Sequence, residues 1–465
     1  MVGTTSRANV SRRPPNTTTP PSRIGSGADG SSRTSASSMS SGIWLATPIV
    51  TCGRFDSAVM RSWLGRRADE SRRHSARTVA SMSGSSSNST DWTIVSNDCR
   101  VGSVSTGDLR NLRLGSLQGD GIGREIVPAA RDVVDAAMSA AGLPEVEWVP
   151  LPIGLDAIES HGSPMPESTL VALAELDSWI LGPHDSASYP DPFQMQLTPG
   201  GTIRKRFDLY ANIRPARALP GVRAVSPRMD LVIVRENTEG FYADRNMFVG
   251  SGEFMPTPDV AMAVGVVTRQ ACERIAHTAF GLAMRRRKRV TVVHKANVLA
   301  TTTGLFRDVC RDVAAHYPDV RLDDEHVDAM AAYLVRRGED YDVVVTENMF
   351  GDILSDLAAE LSGSLGTAAS INASETKAMA QAAHGAAPDI SGRNRANPVA
   401  LFLSAAMLLD WISARRSEPA FAAAAERIRS AVERTVESGV ATADLGGLAS
   451  TSEFTETVIA RVFRR

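Results

Sequence analysis

From Leu112 onward, short apolar runs of strand length alternate with longer segments of helical period, and this alternation confines the chain to an α/β architecture. Leu112 to Leu117 reads as a strand, Gln118-Gly119-Asp120-Gly121-Ile122-Gly123 as a glycine-rich turn, and Glu125 to Ala141 as a helix with Ile126, Ala130, Val133 and Val134 on its inner face. Strand signals recur at Val146 to Pro150, Trp179 to Gly182, Met229 to Arg235, Arg289 to His294, Val320 to His326 and Tyr341 to Thr346. Helical segments separate most of them, which predicts a largely parallel sheet covered by helices. Toward the C-terminus the pattern is helical, most clearly over Pro398 to Ser413 and Ala420 to Ser438.

Residues 1 to about 110 have a different composition, dominated by Ser, Thr, Arg and Gly, with few acidic residues. Stretches such as Ser83-Gly84-Ser85-Ser86-Ser87-Asn88-Ser89 have no apolar period and are expected to be disordered, or to belong to a non-native extension with Met82 as a later start. The same composition characterises organelle transit peptides, which would place the protein in an organelle matrix. With 465 residues and 43% hydrophobic content, the chain can bury a large core. No apolar run approaches the roughly 18 residues that span a bilayer, so no membrane partner is expected. A net charge of −2 and a pI near 6.5 argue against nucleic acid as a partner. Cys52, Cys99, Cys272 and Cys310 lack CxxC spacing, which fits a reducing compartment such as the cytoplasm.

Three groups of residues carry chemical potential. In Val343-Val344-Val345-Thr346-Glu347-Asn348-Met349-Phe350-Gly351-Asp352-Ile353-Leu354-Ser355-Asp356, a strand runs into a helix, and Asp352 and Asp356 share one helix face. Two carboxylates so placed suit Mg²⁺ or Mn²⁺, and equally a solvated acidic face. Arg204, Arg214 and Arg235 lie in tight contexts, the last two at the ends of strand-like runs, where guanidinium forks can pair with a substrate bearing several carboxylates. Lys295 follows a strand in a chain whose basic residues are overwhelmingly Arg, and an amine, unlike a guanidinium, can serve as a general base. Tyr242 offers a phenol as acid, Asp328 at a strand end offers a third carboxylate, and His294 reads as structural. The glycine turn has G-x-G-x-G spacing with no acidic residue at the end of a second strand, so it is not a dinucleotide fingerprint.

GDGIGREI at 119–126, IRKRFDLYANIRP at 203–215, VRENTEGFY at 234–242, HKANV at 294–298, DEHVDAM at 324–330, TENMFGDILSD at 346–356 and HGAAPDISGRNRANP at 384–398 resemble, in order, the motif set of the isocitrate/isopropylmalate dehydrogenase family. The resemblance covers about residues 111 to 465. It implies an α/β two-domain fold that is not a Rossmann fold, with a large cofactor-binding domain at 111–211 plus 362–465 and a small domain at 212–361 carrying the dimer interface and metal site. It also implies NAD-dependent oxidative decarboxylation of an (R)-malate-type 2-hydroxy acid, a small di- or tricarboxylate. Arg204, Arg214 and Arg235, with Thr198 toward the variable group, would bind substrate, and Asp328, Asp352 and Asp356 would bind Mg²⁺ or Mn²⁺. Tyr242 and Lys295 would be acid and base, with the lysine and Asp328 reaching the site from the neighbouring subunit of a homodimer. The cofactor would lie along His384, Gly385, Ala387, Asp389 and Asn397, with Asn297 adding a contact. A carboxylate at Asp389 accepts from ribose hydroxyls and repels a 2′-phosphate, favouring NAD.

Some positions depart from the family pattern. Gln118 and Arg124 replace prolines around the glycine loop, Ala382-Ala383 replaces a Glu-Pro before His384, and Leu181-Gly182-Pro183-His184-Asp185 replaces a glycine-richer turn. Thr198, Gly200 and Gly201 stand where leucine-pathway enzymes carry paired Leu, and Arg-Glu-Asn-Thr-Glu resembles isocitrate, homoisocitrate and tartrate enzymes. The resemblance implies a reaction of the 3-isopropylmalate/isocitrate dehydrogenase type, and within it these positions weigh against an isopropyl-accepting apolar pocket. The alternatives are a tartrate/D-malate or homoisocitrate dehydrogenase and, outside that class, a non-catalytic regulatory subunit, which predicts broken metal or base positions.

Overall fold

The computed structural model describes residues 112–464, so the disorder expected for 1–110 lies outside them. β1 (Arg113–Leu117) leads through the glycine turn into α1 (Gly123–Ala140). That turn requires glycine: Gly119 and Gly121 have φ of +69° and +54°, and a Cβ on either would lie 2.0 Å from a backbone oxygen, of Pro183 and Ala386 respectively. β2 (Glu147–Pro150), α2 (Leu155–His161), α3 (Glu167–Ala174) and β3 (Ser178–Leu181) complete the first layer. α4 (Pro199–Arg206) is capped by Thr198, whose Oγ1 accepts from Gly201 N at 3.1 Å, and it precedes β4 (Ala211–Arg217) and β5 (Asp230–Glu236).

β6 (Glu253–Thr257) and β7 (Val260–Ala263) pair only with each other, as a ribbon exposed at every residue. α5 (Arg269–Ala283), β8 (Arg289–His294), α6 (Thr302–Ala314), β9 (Arg321–His326), α7 (Val327–Arg337), β10 (Val343–Thr346) and α8 (Asn348–Ser362) alternate as expected. The chain then forms β11 (Ile371–Ala373) and β12 (Ala378–Gln381), and ends in α9 (Val399–Arg416), α10 (Pro419–Glu437) and α11 (Thr451–Val462).

Apart from that ribbon, the strands form one sheet in the order β2-β1-β3-β12-β11-β4-β5-β10-β8-β9, which is not the Rossmann order. β5, β10 and β8 are buried on both faces, and their continuous Val- and Ile-rich runs pair parallel, as such strands do. The middle of the sheet differs from the parallel expectation: β4 runs antiparallel to both β5 and β11, and β11 antiparallel to β12. This antiparallel block carries Arg214 across the sheet beside Arg235, with Asn212 of β4 opposite Arg235 of β5. α9 is buried along most of its length, and within it the fully buried Asp410 accepts from Arg429 Nη1 of α10 at 2.7 Å. Among the described residues no helix is long and apolar enough to cross a membrane.

Candidate active site

The site forms where β4, β5 and the start of α8 meet. Asn212 and Arg214 lie two apart on β4 and so share a face, and Asn212 Oδ1 accepts from Arg214 Nε at 2.7 Å. Arg214 Nη1 then donates to Ser355 Oγ at 2.8 Å and Asp356 Oδ1 at 3.1 Å, while its Nη2 lies 3.2 Å from Asp352 Oδ1. Arg235 donates through Nε and Nη2 to Asn348 Oδ1 at 2.9 and 2.7 Å, and through Nη1 to Asp352 Oδ1. Gly351 permits this approach, because a Cβ there would lie 2.6 Å from Arg235 Cγ. The Tyr242 hydroxyl donates to Asp352 Oδ2, and Arg204 Nη2 donates to Gln381 Oε1 at 2.9 Å.

Arg204, Arg214, Arg235, Tyr242, Asp352 and Thr198 together line a cavity of about 310 Å³, with His384 and Gly385 on its far wall. Burial pushes Arg204 down to about 9, helped by Arg235, Arg214 and Arg245, and pushes Arg235 down to about 10, so both remain cationic at neutral pH. Burial opposes ionisation of Asp352, but the Arg235 and Arg214 guanidiniums outweigh it and hold the carboxyl below its ordinary range. Burial raises Asp356, with Asp352 adding to the rise and Arg214 opposing it. Tyr242 is pushed up to about 12 by burial and by its hydrogen bond to Asp352, and stays protonated.

Arg235 is next to last in β5, as expected, whereas Arg214 is mid-strand in β4: the antiparallel pairing extends that strand past the site. Asp328 lies in the first turn of α7, two residues beyond the strand end where it was expected. It accepts from Lys295 Nζ, which holds its carboxyl low, and neither residue lines the cavity of its own chain. His294 is structural, as expected, contacting Asp324 Oδ2 at 3.2 Å and accepting from Ala296 N at 3.1 Å. Asn297 and Asp389 are exposed outside the cavity. Ala387 takes a φ of +39°, and the Asn397 side chain is engaged within the protein, donating to Asp444 Oδ2 in the α10–α11 connection at 2.8 Å and accepting from Val399 N at 3.0 Å. The cavity residues that the sequence did not single out as site residues are His184, Arg245 and Gln381, beside Pro183, Ser370, Ala382 and Ala383. His184 lay in a stretch noted only for its departure from the family turn, and Arg245 follows its motif with no spacing signal.

The family model described as isocitrate/isopropylmalate dehydrogenase matches residues 113–458. The chain belongs to the isocitrate/isopropylmalate dehydrogenase family. It is therefore an enzyme of the nicotinamide-dependent, decarboxylating dehydrogenase class. It is 43% identical over 353 residues to the isocitrate/homoisocitrate dehydrogenase of Thermus thermophilus, covering 75% of this chain and 97% of that one. It is 40% identical over 343 residues to the 3-isopropylmalate dehydrogenase of Archaeoglobus fulgidus, covering 74% and 97%. The crystal structure of isocitrate dehydrogenase from Methylococcus capsulatus superposes with a TM-score of 0.67 at 37% identity, covering 76% of this chain and 99% of that chain.

The residues present fit the groups that this family implies. For a hard divalent cation, Asp352 and Asp356 offer oxygen donors side by side on α8. No cluster of three metal-ligating residues occurs within the single chain among the described residues. For a dinucleotide, the 384–397 segment is anchored to the glycine turn by Ile122 N donating to Ala386 O at 2.9 Å, and to the first turn of α1 by Gly392 N donating to Glu125 Oε1 at 2.6 Å. On this anchored segment Gly385 faces open space, and the buried Nε2 of His384 has no partner.

Proposed function

We propose that this enzyme oxidises an (R)-malate-type 2-hydroxy acid with NAD and then releases CO₂, using Mg²⁺ or Mn²⁺. The observation that carries the reading is the convergence of Arg204, Arg214 and Arg235 with Tyr242 and Asp352 on one cavity. The guanidiniums bind and orient the substrate carboxylates. Lys295 would take the hydroxyl proton, and a nicotinamide cofactor held along the 384–397 segment would supply the two-electron acceptor for the oxidation at C2, which gives a 2-oxo acid. The C–C electron pair remains as an enolate when CO₂ departs, and Tyr242, protonated at neutral pH, delivers its proton to carbon. Asp352 and Asp356, with Asp328, would hold the divalent cation, which would supply polarisation of the carbonyl and stabilisation of negative charge on its oxygen.

Lys295 and Asp328 lie outside the cavity of their own chain, which supports a homodimer in which a second copy completes each site. The β6–β7 ribbon, which exposes Phe254, Met255, Val260 and Met262, supports association as well. In the same reading the strands from 212–361 at one end of the sheet and the remaining strands at the other are the small and large domains. Asp389, exposed in the cofactor segment, favours NAD over NADP. The buried free thiols of Cys272 and Cys310 suit the cytoplasm. A regulatory subunit is disfavoured because Tyr242, Lys295 and all three aspartates are present. Tartrate, D-malate and homoisocitrate remain alternative substrates. The test is NADH production with Mn²⁺ over isocitrate, homoisocitrate, isopropylmalate, tartrate and D-malate; a folded enzyme silent on all five would refute the proposal.

A further inference from the structure

The cavity contains one guanidinium that the mechanism above does not use. Arg245, only 9% exposed, donates through Nε and Nη2 to the two oxygens of Asp244, at 3.1 and 3.2 Å. Its guanidinium carbon sits 5.2 Å from the centre of the Tyr242 ring. The fork and the ring hold the side chain in place, and the remaining nitrogen, Nη1, is buried with no hydrogen-bond partner. Three other cavity residues share this condition: Arg204 Nε, His184 Nδ1 and His384 Nε2 are also buried and unpartnered.

We infer that Arg245 is a specificity-determining residue that receives a third carboxylate, so that the substrate is a tricarboxylic 2-hydroxy acid. Guanidinium nitrogens donate and cannot accept, so a buried Nη1 calls for an acceptor on the ligand. Arg214 and Arg235 already face Asp352 and Asp356, whereas Arg204 is bonded only to the neutral Gln381. Arg204 therefore brings to the cavity a positive charge that no carboxylate in hydrogen-bond contact balances, and Arg245, although paired with Asp244, still presents Nη1 as an unused donor. His184 is pushed down to about 4 by burial and by Arg204, so at neutral pH it adds a neutral imidazole that can share a proton with a carboxylate oxygen. An isopropyl substituent would desolvate these groups and give them nothing to bond.

This inference rests on the cavity being the substrate site, and its test separates binding from turnover. The measurement is calorimetric binding of isocitrate and of (R)-malate, with Mn²⁺, to the wild type and to Arg245→Gln. The wild type should bind the tricarboxylate about 10- to 100-fold more tightly than the dicarboxylate, the range of one charge-assisted hydrogen bond. Arg245→Gln should lose that advantage while malate binding holds, and Arg245→Lys, which keeps the charge but not the fork, should fall between. Equal wild-type affinity for the two acids, equal losses for both in Arg245→Gln, or no binding of either would overturn the inference. Arg245-dependent isocitrate binding without NADH production would refute the redox proposal and leave this assignment standing.

Discussion

Glu347, the residue before α8, is 3% exposed, and neither of its carboxylate oxygens has a hydrogen-bond partner. Burial, with the charge of Glu236 adding to it, pushes this carboxyl from its ordinary 4.5 up to about 7. Glu239 close by is likewise raised to about 7, first by burial, and Arg274 Nη2 stands 4.0 Å from Glu236 without reaching Glu347. Because the folded value exceeds the unfolded one, the native state holds the extra proton. The stability that Glu347 contributes is therefore complete at low pH and is lost as pH rises through about 7. At 1.36 kcal/mol per unit the loss totals about 3 kcal/mol, of which about 2.5 kcal/mol falls between about pH 5 and pH 8. Glu347→Gln removes the titration and keeps the shape. Urea unfolding at fixed protein concentration should show the variant gaining about 2.5 kcal/mol relative to wild type between those two pH values. A difference between variant and wild type that does not change with pH would refute the argument.

Asp410→Asn should destabilise the fold by about 3 kcal/mol, because it removes the buried carboxylate facing Arg429, whose remaining partner Glu426 lies 3.1 Å away on the exposed side. Urea unfolding checks it, and a loss under about 1 kcal/mol would contradict the role given to this pair. For the homodimer, Lys295→Met and Asp352→Asn should each be inactive alone. Co-expressed, they should recover roughly a quarter of wild-type activity, since random pairing gives half heterodimers and each heterodimer regains one intact site of two. No recovery from a mixed dimer isolated on two tags would exclude a shared site.

Residues whose local pattern and final environment agree were legible in the sequence. α1 shows its buried face as Ile126, Ala130, Val133 and Val134, and the Val runs of β8 and β10 announce buried parallel strands. Asp352, Asp356 and Arg235 were legible because a four-residue spacing on one helix face, or a place near a strand end, fixes where a side chain emerges. β11 and β12 were not: at three and four residues, reading INA and AMAQ, they carry too little pattern and exist because their neighbours in the sheet supply partners. Arg245 was invisible for a related reason. Its orientation depends on Asp244 and on the face of Tyr242, and neighbours in sequence do not reveal which guanidinium nitrogen is left without a partner. The separation of Lys295 and Asp328 from the cavity is likewise a three-dimensional fact, since their motifs sit in the chain among those that build it.

The most direct test of the reaction is to count products in one vessel. With Mn²⁺, NAD and the substrate that the panel selects, the wild type should form NADH and CO₂ in equal amounts, and Arg235→Gln should form neither at a comparable rate, since Arg235 is proposed to hold substrate and it donates to Asp352. NADH without CO₂ would show oxidation alone, CO₂ without NADH would show decarboxylation alone, and either result would contradict the two-step reaction assigned to this cavity.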